Sequence, residues 1–368
     1  MEIVFLAPAN SIHTVRWVNT LAERGHKINL FFLKNHNDIE NRISSSVQKY
    51  ELPIMGAKGY YLNAFYLKHL IRKLKPDVIN VHYASGYGTL MRMAGLNRAV
   101  LSVWGSDVYD FPYQNKVCMR ILVKNLRYAT QIASTSYCMA RQTCRVLGEE
   151  RNIAITPFGV DLKKFCVQNK RKENGKIIIG CVKTLEPKYG IEYLIRAVAI
   201  LIKDLKKCGK DSIADMIKCY IYGEGSQEQQ LLDLIQKENV EGIVCLKGKV
   251  SHEKVPEVLG EMDVFCITST INSESFGVAV VEAQASGLPV VVSDVDGFCE
   301  VVENEITGLI VKRKSPEETA DALKRLIMDR NLREKMGKAG RIRVERLYDW
   351  QKNVSTMEAV YRNMNDEV

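Results

Sequence analysis

The chain has 368 residues, 46% hydrophobic and 26% charged, with a net charge of +9; this length favours two domains, each large enough for its own core. The composition is that of a globular protein with no low-complexity tract, and no apolar run approaches the ~18 residues that a membrane span needs. The start Met1-Glu2-Ile3-Val4-Phe5-Leu6 lacks a basic leader and reads as a strand, not as a signal peptide.

Taken in order, residues 2–7 form a strand, 13–24 a helix closed by Gly25, and 27–33 a second strand. A helix over 63–74 and a strand over 78–82 follow, then strands over 99–104, 131–136 and 152–156 with helices over 116–127 and 137–147 between them. Such alternation predicts a mostly parallel, doubly wound α/β sheet. Residues 166–175 are polar and charged, the best linker in the chain. The pattern then restarts, with strands over 177–181, 218–223, 243–246, 264–268, 289–293 and 308–311. Helices are expected over 191–205, 226–238, 251–262, 276–286 and 316–328, and a last amphipathic helix over 350–363. Two Rossmann-like domains, 1–166 and 176–345, facing a cleft would suit a ligand that spans both.

Ten cysteines lie between Cys118 and Cys299 without a C-x-x-C pair, as expected of buried or idle thiols in a reducing cytosol and not of a zinc site. Charge is uneven: residues 1–170 carry 23 Lys/Arg against 11 Asp/Glu, and the remainder 29 against 32. A basic first half points to an anionic partner. Nucleic acid is disfavoured, because aromatics are not interleaved with the cations as stacking platforms require. That leaves a phospholipid surface, a lipid-phosphate acceptor, or solvated basic helices with no partner. The helix over 116–127, with Lys116, Arg120, Lys124 and Arg127, either lies on anionic lipid or packs on the sheet with a basic edge.

The most informative run is Glu274-Ser275-Phe276-Gly277-Val278, continuing through Glu282 to Gly287-Leu288-Pro289. Read as a helix closed by Gly287, it puts Glu274 at the start, beside unpaired backbone N–H groups and the positive dipole end. That is a place for an anionic ligand. Glu282 falls two turns on, roughly 12 Å along the axis. A phosphate centre with hydroxyls on both sides, as in a nucleotide-sugar, fits this layout. Lys183 and Lys188 sit in a loop at the carboxyl end of the restart strand, where open α/β sheets contact ligands, and lysine is a compact charge for phosphate. Either glutamate alone is as readily a capping or solvated side chain, and loop lysines alone are ordinary. Their combination in one domain favours a ligand.

In this order and spacing, Lys183…Lys188-Tyr189-Gly190, Gly223-Glu224-Gly225, Glu274-x7-Glu282 and Gly287-Leu288-Pro289-Val290-Val291 resemble the family-4 (group 1) retaining glycosyltransferases of GT-B fold, of the bacterial surface-polysaccharide type. Trp104-Gly105-Ser106-Asp107 and Thr156-Pro157-Phe158-Gly159-Val160-Asp161 resemble segments of that family's first half. The resemblance implies that Lys183 and Lys188 bind the donor diphosphate, and that the amides of Ser275, Phe276, Gly277 and Val278 cradle phosphate and sugar hydroxyls. Glu274 would contact the donor sugar and Glu282 the ribose, with Gly223 also in the donor site. Lys183 stands where the family usually has Arg; it keeps the charge and loses the bidentate fork. Trp104 stands where many relatives carry His, which leaves Asp107 as the polar group, either catalytic or a helix cap. On the acceptor side, Asn10, His13 and Arg16 follow the first strand, where relatives often have a Gly-rich loop. His82 ends the strand over 78–82 and is either acceptor-binding or structural. A C-terminal helix, 346–368, would pack back on the first domain.

The implied reaction is a retaining transfer from a UDP- or GDP-linked sugar to a hydroxyl of a lipid-linked saccharide in bacterial polysaccharide biosynthesis. Its place would be the cytoplasm or the inner face of the plasma membrane. No Asp-x-Asp stands in a loop where a metal-bridged diphosphate would need one, so neither an essential divalent ion nor a cofactor is expected. Three rivals remain. A GT-B epimerase or hydrolase would need an acid–base group in the cleft. A Rossmann dehydrogenase is disfavoured, because Pro8-Ala9-Asn10-Ser11-Ile12-His13 replaces G-x-G-x-x-G after the first strand. A non-catalytic nucleotide-sugar binding module is the third, motivated by Lys183 and Trp104.

Overall fold

A computed structural model describes residues 1–167 and 175–366. They form two compact units, Met1–Pro157 with Gln351–Val368, and Phe158–Trp350. The polar stretch 166–175, read as a linker, lies for the most part outside the described residues.

The first unit is built on seven parallel strands, Glu2–Leu6 (β1), Lys27–Leu33 (β2), Gln48–Leu52 (β3), Val78–His82 (β4), Ala99–Val103 (β5), Gln131–Ser134 (β6) and Ile153–Ile155 (β7). Their order is β3-β2-β1-β4-β5-β6-β7. Helices between most successive strands cover the sheet, so the inner strands are buried on both faces: Ile3, Val4, Phe5 and Leu6 are all buried in β1, as parallel sheets require. The strand order turns at β1 and β4, and the carboxyl ends of that pair are where open α/β sheets leave a crevice.

The second unit repeats the plan with Ile177–Val182 (β8), Ile217–Tyr222 (β9), Val244–Leu246 (β10), Val264–Ile267 (β11), Val290–Ser293 (β12) and Gly308–Val311 (β13). Its order, β10-β9-β8-β11-β12-β13, turns at β8 and β11. Each unit is thus a doubly wound, Rossmann-like parallel sheet.

Several elements escaped the sequence reading, and three of them show the physical reasons. β3, Gln-Lys-Tyr-Glu-Leu, is an exposed edge whose charges guard against edge pairing and hide its alternation. The helix Gly86–Met93 is short and begins on glycines, against helix propensity. The helix Arg330–Leu347 buries only Arg333, Met336, Gly337, Gly340 and Val344, so it has no apolar stripe to read. It packs by close approach: a Cβ on Gly337 would lie 2.1 Å from the carbonyl oxygen of Gly287.

The helix expected over 276–286 runs over Val278–Ala285, with Gly277 at its N-cap at φ 82°. Glu274 therefore belongs to the preceding loop, and the two glutamates are not two turns of one helix. The left-handed φ at Gly277 ends the loop, and a Cβ there would press on the Phe298 ring at 2.8 Å.

The last helix, Trp350–Asp366, contributes to the first unit. Tyr361 is fully buried and its hydroxyl meets Asn80 Nδ2 at 2.5 Å beneath β4. Glu358 takes Arg24 at 2.7 Å and His26 at 2.8 Å. Burial pushes the Glu358 carboxyl up, but the His26 hydrogen bond and the Arg24 charge outweigh it and hold it below the ordinary glutamate range. A carboxylate depressed in this way stabilises the fold above its unfolded value, and that stability is lost as pH falls through the folded value. Glu358→Gln should therefore lower stability by about 1 kcal/mol near pH 6, and the difference from wild type should shrink towards about pH 4, around and below the unfolded glutamate value. Thermal unfolding of both proteins across that window checks this.

Candidate functional site

The lysine loop leaves β8 and is fixed by backbone contacts on both sides. Lys183 N donates to Tyr222 O at 2.9 Å and Leu185 N to Glu224 O at 2.9 Å. Gly223 makes this possible: a Cβ there would lie 1.9 Å from Lys183 O. Gly223, a donor-site candidate, thus holds the lysine loop by close packing. Further along, Lys188 O accepts from Thr270 N at 2.9 Å and Gly190 O from Thr268 Oγ1 at 2.7 Å. These bonds tie the loop to the end of β11, at the point where strand order turns.

Both lysines converge on one ring. Lys183 Nζ lies 4.3 Å and Lys188 Nζ 5.0 Å from the Tyr189 centroid, within cation–π range. Lys188 is exposed, whereas Lys183 is largely covered and pairs with Glu274 Oε2 at 2.6 Å. Burial acts to depress the Lys183 ammonium, but the Glu274 carboxylate, with Tyr189, raises it above the ordinary lysine range. The pair joins the lysine loop to the loop before helix Val278–Ala285, although 91 residues separate the partners.

In that second loop, Ser275 is buried and Phe276 is locked between Phe158 and Tyr348, edge-on to each at 5.6 and 5.5 Å. The Phe276 side chain is therefore core, and only its backbone is available to a ligand. Gly277 and Val278 open the helix, whose first N–H groups have no intrahelical acceptor. Ser273 Oγ, one residue before Glu274, is buried with no hydrogen-bond partner among the described residues.

Glu282 lies in the same helix, nearly buried, and its Oε1 meets His252 Nε2 at 2.9 Å. His252, in the turn His252–Lys254, carried no sequence signal; it is an isolated histidine 30 residues from its partner. Asp294-Val295-Asp296 is an Asp-x-Asp that follows β12. Asp294 accepts from Arg313 N and Nε, both at 2.9 Å. Burial acts to raise its carboxyl, and the Arg313 bonds reverse this and hold it below the ordinary range.

In the first unit the acceptor-side candidates divide. His13, His82 and Tyr83 surround the Trp104 ring at 5.4, 4.2 and 5.1 Å, off the carboxyl ends of β1, β4 and β5. His82 is buried, with Nδ1 lacking a hydrogen-bond partner among the described residues, and burial, then the nearby His13, push its pKa well below the ordinary range. It is a neutral imidazole at physiological pH. Asn10 instead is engaged through its backbone, with N on His36 O at 3.0 Å and O taking Arg42 Nη2 at 2.8 Å. Arg16 lies on the helix Ile12–Glu23 that follows. Asp107 is in the arrangement of the capping alternative: it is buried, Oδ2 accepts from Ala84 N at 2.8 Å, and Oδ1 accepts from Trp104 N and Gly105 N at 3.0 Å. Burial raises its carboxyl against these bonds, and its task is to clamp the loops that carry Tyr83 and Trp104.

Family models match both halves of the chain. Residues 163–343 match the model described as Glycosyl transferases group 1, and residues 2–136 the model described as Glycosyl transferase 4-like. The chain belongs to the group 1 glycosyltransferases. A glycosyltransferase of Methanocaldococcus jannaschii, itself uncharacterized, is 24% identical over 97% of this chain and 95% of its own length. The GDP-mannose-dependent alpha-(1-6)-phosphatidylinositol monomannoside mannosyltransferase of Mycobacterium tuberculosis is 26% identical over 70% of this chain and 68% of its own. Among solved structures, HepE of Anabaena in complex with UDP superposes with a TM-score of 0.82 at 15% identity, over 99% of this chain and 100% of that one. The two sheets are thus those of the GT-B fold.

In this glycosyltransferase the Lys183–Glu274 pair predicts non-additive stability. Lys183→Ala and Glu274→Ala should each lower the melting temperature by several degrees, because each leaves a mostly covered charge alone. The double variant should lose less than the sum, with a coupling of about 1–3 kcal/mol read from thermal unfolding without ligand.

Proposed function

We propose that the chain is a retaining glycosyltransferase that takes a sugar from a UDP- or GDP-linked donor, without an essential metal or cofactor, and passes it to a hydroxyl of a lipid-linked saccharide in bacterial surface-polysaccharide assembly. One observation carries the donor half: Lys183, Lys188 and Glu274 converge where the second sheet turns its strand order. The helix start at Gly277 and Val278 follows directly on the Glu274 loop. Lysine ammoniums and free helix N–H groups oppose the charge that develops on a departing nucleoside diphosphate. Glu274 would accept from sugar hydroxyls and Glu282 from the ribose. No protein nucleophile is needed in this reading. The acceptor oxygen bonds to the anomeric carbon on the face the diphosphate leaves. The carbon–oxygen bond to phosphate breaks with its electron pair, and the acceptor proton passes to a phosphate oxygen. The His13 and His82 rings around Trp104 would supply polar contacts for the acceptor half.

The M. tuberculosis relative is named for GDP-mannose and HepE was solved with UDP, so both nucleotides enter the test. In a thermal-shift screen one of UDP, GDP or their sugars should raise the melting temperature. With that donor, Lys188→Ala should lower turnover at saturation by about a hundredfold; near-normal turnover would remove its assigned role. EDTA should leave activity unchanged, and its loss would overturn the metal-free reading.

A lipid-linked acceptor is supported by the surface of the first unit. No helix among the described residues is long and apolar enough to cross a membrane. The helix Lys116–Tyr128, which the sequence offered for lipid contact, strongly exposes only Val117 among its large apolar residues. The adjoining helices Gly56–Leu62 and Ala64–Leu74 expose far more: Phe65 at 87%, Leu62 at 60%, Met55 at 55%, Tyr66 at 49%. Between Glu51 and Asp77 there are five cations, Lys58, Lys68, Arg72, Lys73 and Lys75, and no acid. Apolar and aromatic side chains beside cations on one helical strip are the signature of a segment that lies in an anionic interface. Wild-type protein should sediment with vesicles rich in anionic lipid and release them at high salt. The double variant Leu62→Ser/Phe65→Ser should bind at least about tenfold more weakly, given roughly 1.5–3 kcal/mol for each large apolar side chain buried. Absence of vesicle binding by wild type would overturn this part.

A further inference from the structure

We propose that His252 is a positioning residue for the nucleoside of the donor, acting through Glu282. The proposal rests on the nucleotide-sugar reading of the site and deepens it.

Glu282 is out of place in its helix on physical grounds. Val280, Val281, Ala283 and Ala285 around it are buried, and its own side chain is only 8% exposed. A carboxylate in such surroundings needs a partner. Among the described residues its hydrogen-bond partner is His252, through one oxygen, Oε1. A carboxylate accepts through about four lone-pair directions, so one bond to the imidazole fixes the group and leaves the second oxygen able to take a hydroxyl. The bond also sets the imidazole, since Nε2 must carry the hydrogen it donates. His252 is backed by the buried Phe165 ring at 5.9 Å, which limits the angles the imidazole can take.

The exposure of the two partners is unequal. His252 is 46% exposed, whereas Glu282 is almost covered. The open histidine thus controls the rotamer of a nearly buried acid, without itself being part of the core. Removing the imidazole would free the carboxylate to turn among its rotamers, and the ordering would then fall on the ligand at binding.

Isothermal calorimetry on the full chain separates this role from packing. UDP and GDP, each with its 2′-deoxy and 3′-deoxy analogue, are titrated into wild type, His252→Ala and His252→Gln. In wild type, loss of the hydroxyl that Glu282 accepts should weaken binding about tenfold. In His252→Ala the parent nucleotide should bind about tenfold more weakly, and loss of that hydroxyl should then cost less than about twofold. The donor KM should rise while kcat at saturating donor stays within about twofold. His252→Gln, whose amide can donate to the same oxygen, should restore most of the affinity and the sensitivity to the hydroxyl. Equal weakening of parent and deoxy analogues in His252→Ala would overturn the proposal, as would unchanged affinity. Failure of wild type to bind either nucleotide would overturn the donor-site reading itself.

Discussion

The Lys183–Glu274 ion pair, 2.6 Å between charged atoms, is the contact on which the candidate site depends. It joins the loop after β8 to the loop before helix Val278–Ala285, and those loops leave the two strands between which the sheet order turns. Each loop is braced independently, one by Gly223 and Thr268, the other by Phe276 between its aromatic neighbours. The pair therefore closes a frame that is already stiff. It also tempers the field. Two unpaired lysines beside open helix amides would attract any polyanion, whereas a carboxylate among them opposes a bare phosphate and favours a ligand with hydroxyls next to its charge.

The strands and their order of appearance were legible because parallel strands buried on both faces are continuous apolar runs, and the functional loops were legible because they follow such runs. What periodicity could not carry was pairing across distance. The resemblance gives Lys183 to the donor diphosphate and Glu274 to the donor sugar, but the sequence does not show that the two side chains touch. Glu274 was read onto the helix start, because Ser275-Phe276-Gly277 continues into apolar residues; the left-handed backbone at Gly277 ends the loop there, and a glycine alone does not announce its φ. Helix Arg330–Leu347 was missed because it docks by glycines and not by an apolar stripe. Asp107 shows the same limit from the other side: a carboxylate next to a Trp-Gly-Ser turn suits catalysis or capping equally in sequence, and its three amide partners come from loops that the sequence does not show to meet.

The two units use one plan to opposite electrostatic effect. At the turn of the second sheet the loops bring cations and helix amides together with one acid between them. At the turn of the first sheet the loops bring two histidines, a tyrosine and a tryptophan into contact, and the buried His82 is kept neutral by its burial and by His13. Burial, then the nearby Asp107, likewise push the Tyr83 phenol up to about 12. A surface of aromatic rings with polar edges suits a sugar, which offers apolar faces and many hydroxyls. This division of chemistry agrees with a donor held in the second unit and a saccharide met by the first.

Net charge in the first half of the chain sets the sign that a partner would have, not its place. The basic helix Lys116–Tyr128 satisfied the charge count, yet its apolar residues are largely spent on packing, with Leu122 and Leu126 buried. The strip from Met55 to Lys73 differs because cations and large apolar side chains are exposed together. Charge alone holds a protein near an anionic surface only as far as salt allows; Leu62 and Phe65 add burial that salt does not screen. An acceptor anchored in a bilayer would then be met by diffusion in two dimensions, with the helices of the first unit as the point of contact. That physical advantage gives a reason for an otherwise globular domain to keep Phe65 in water.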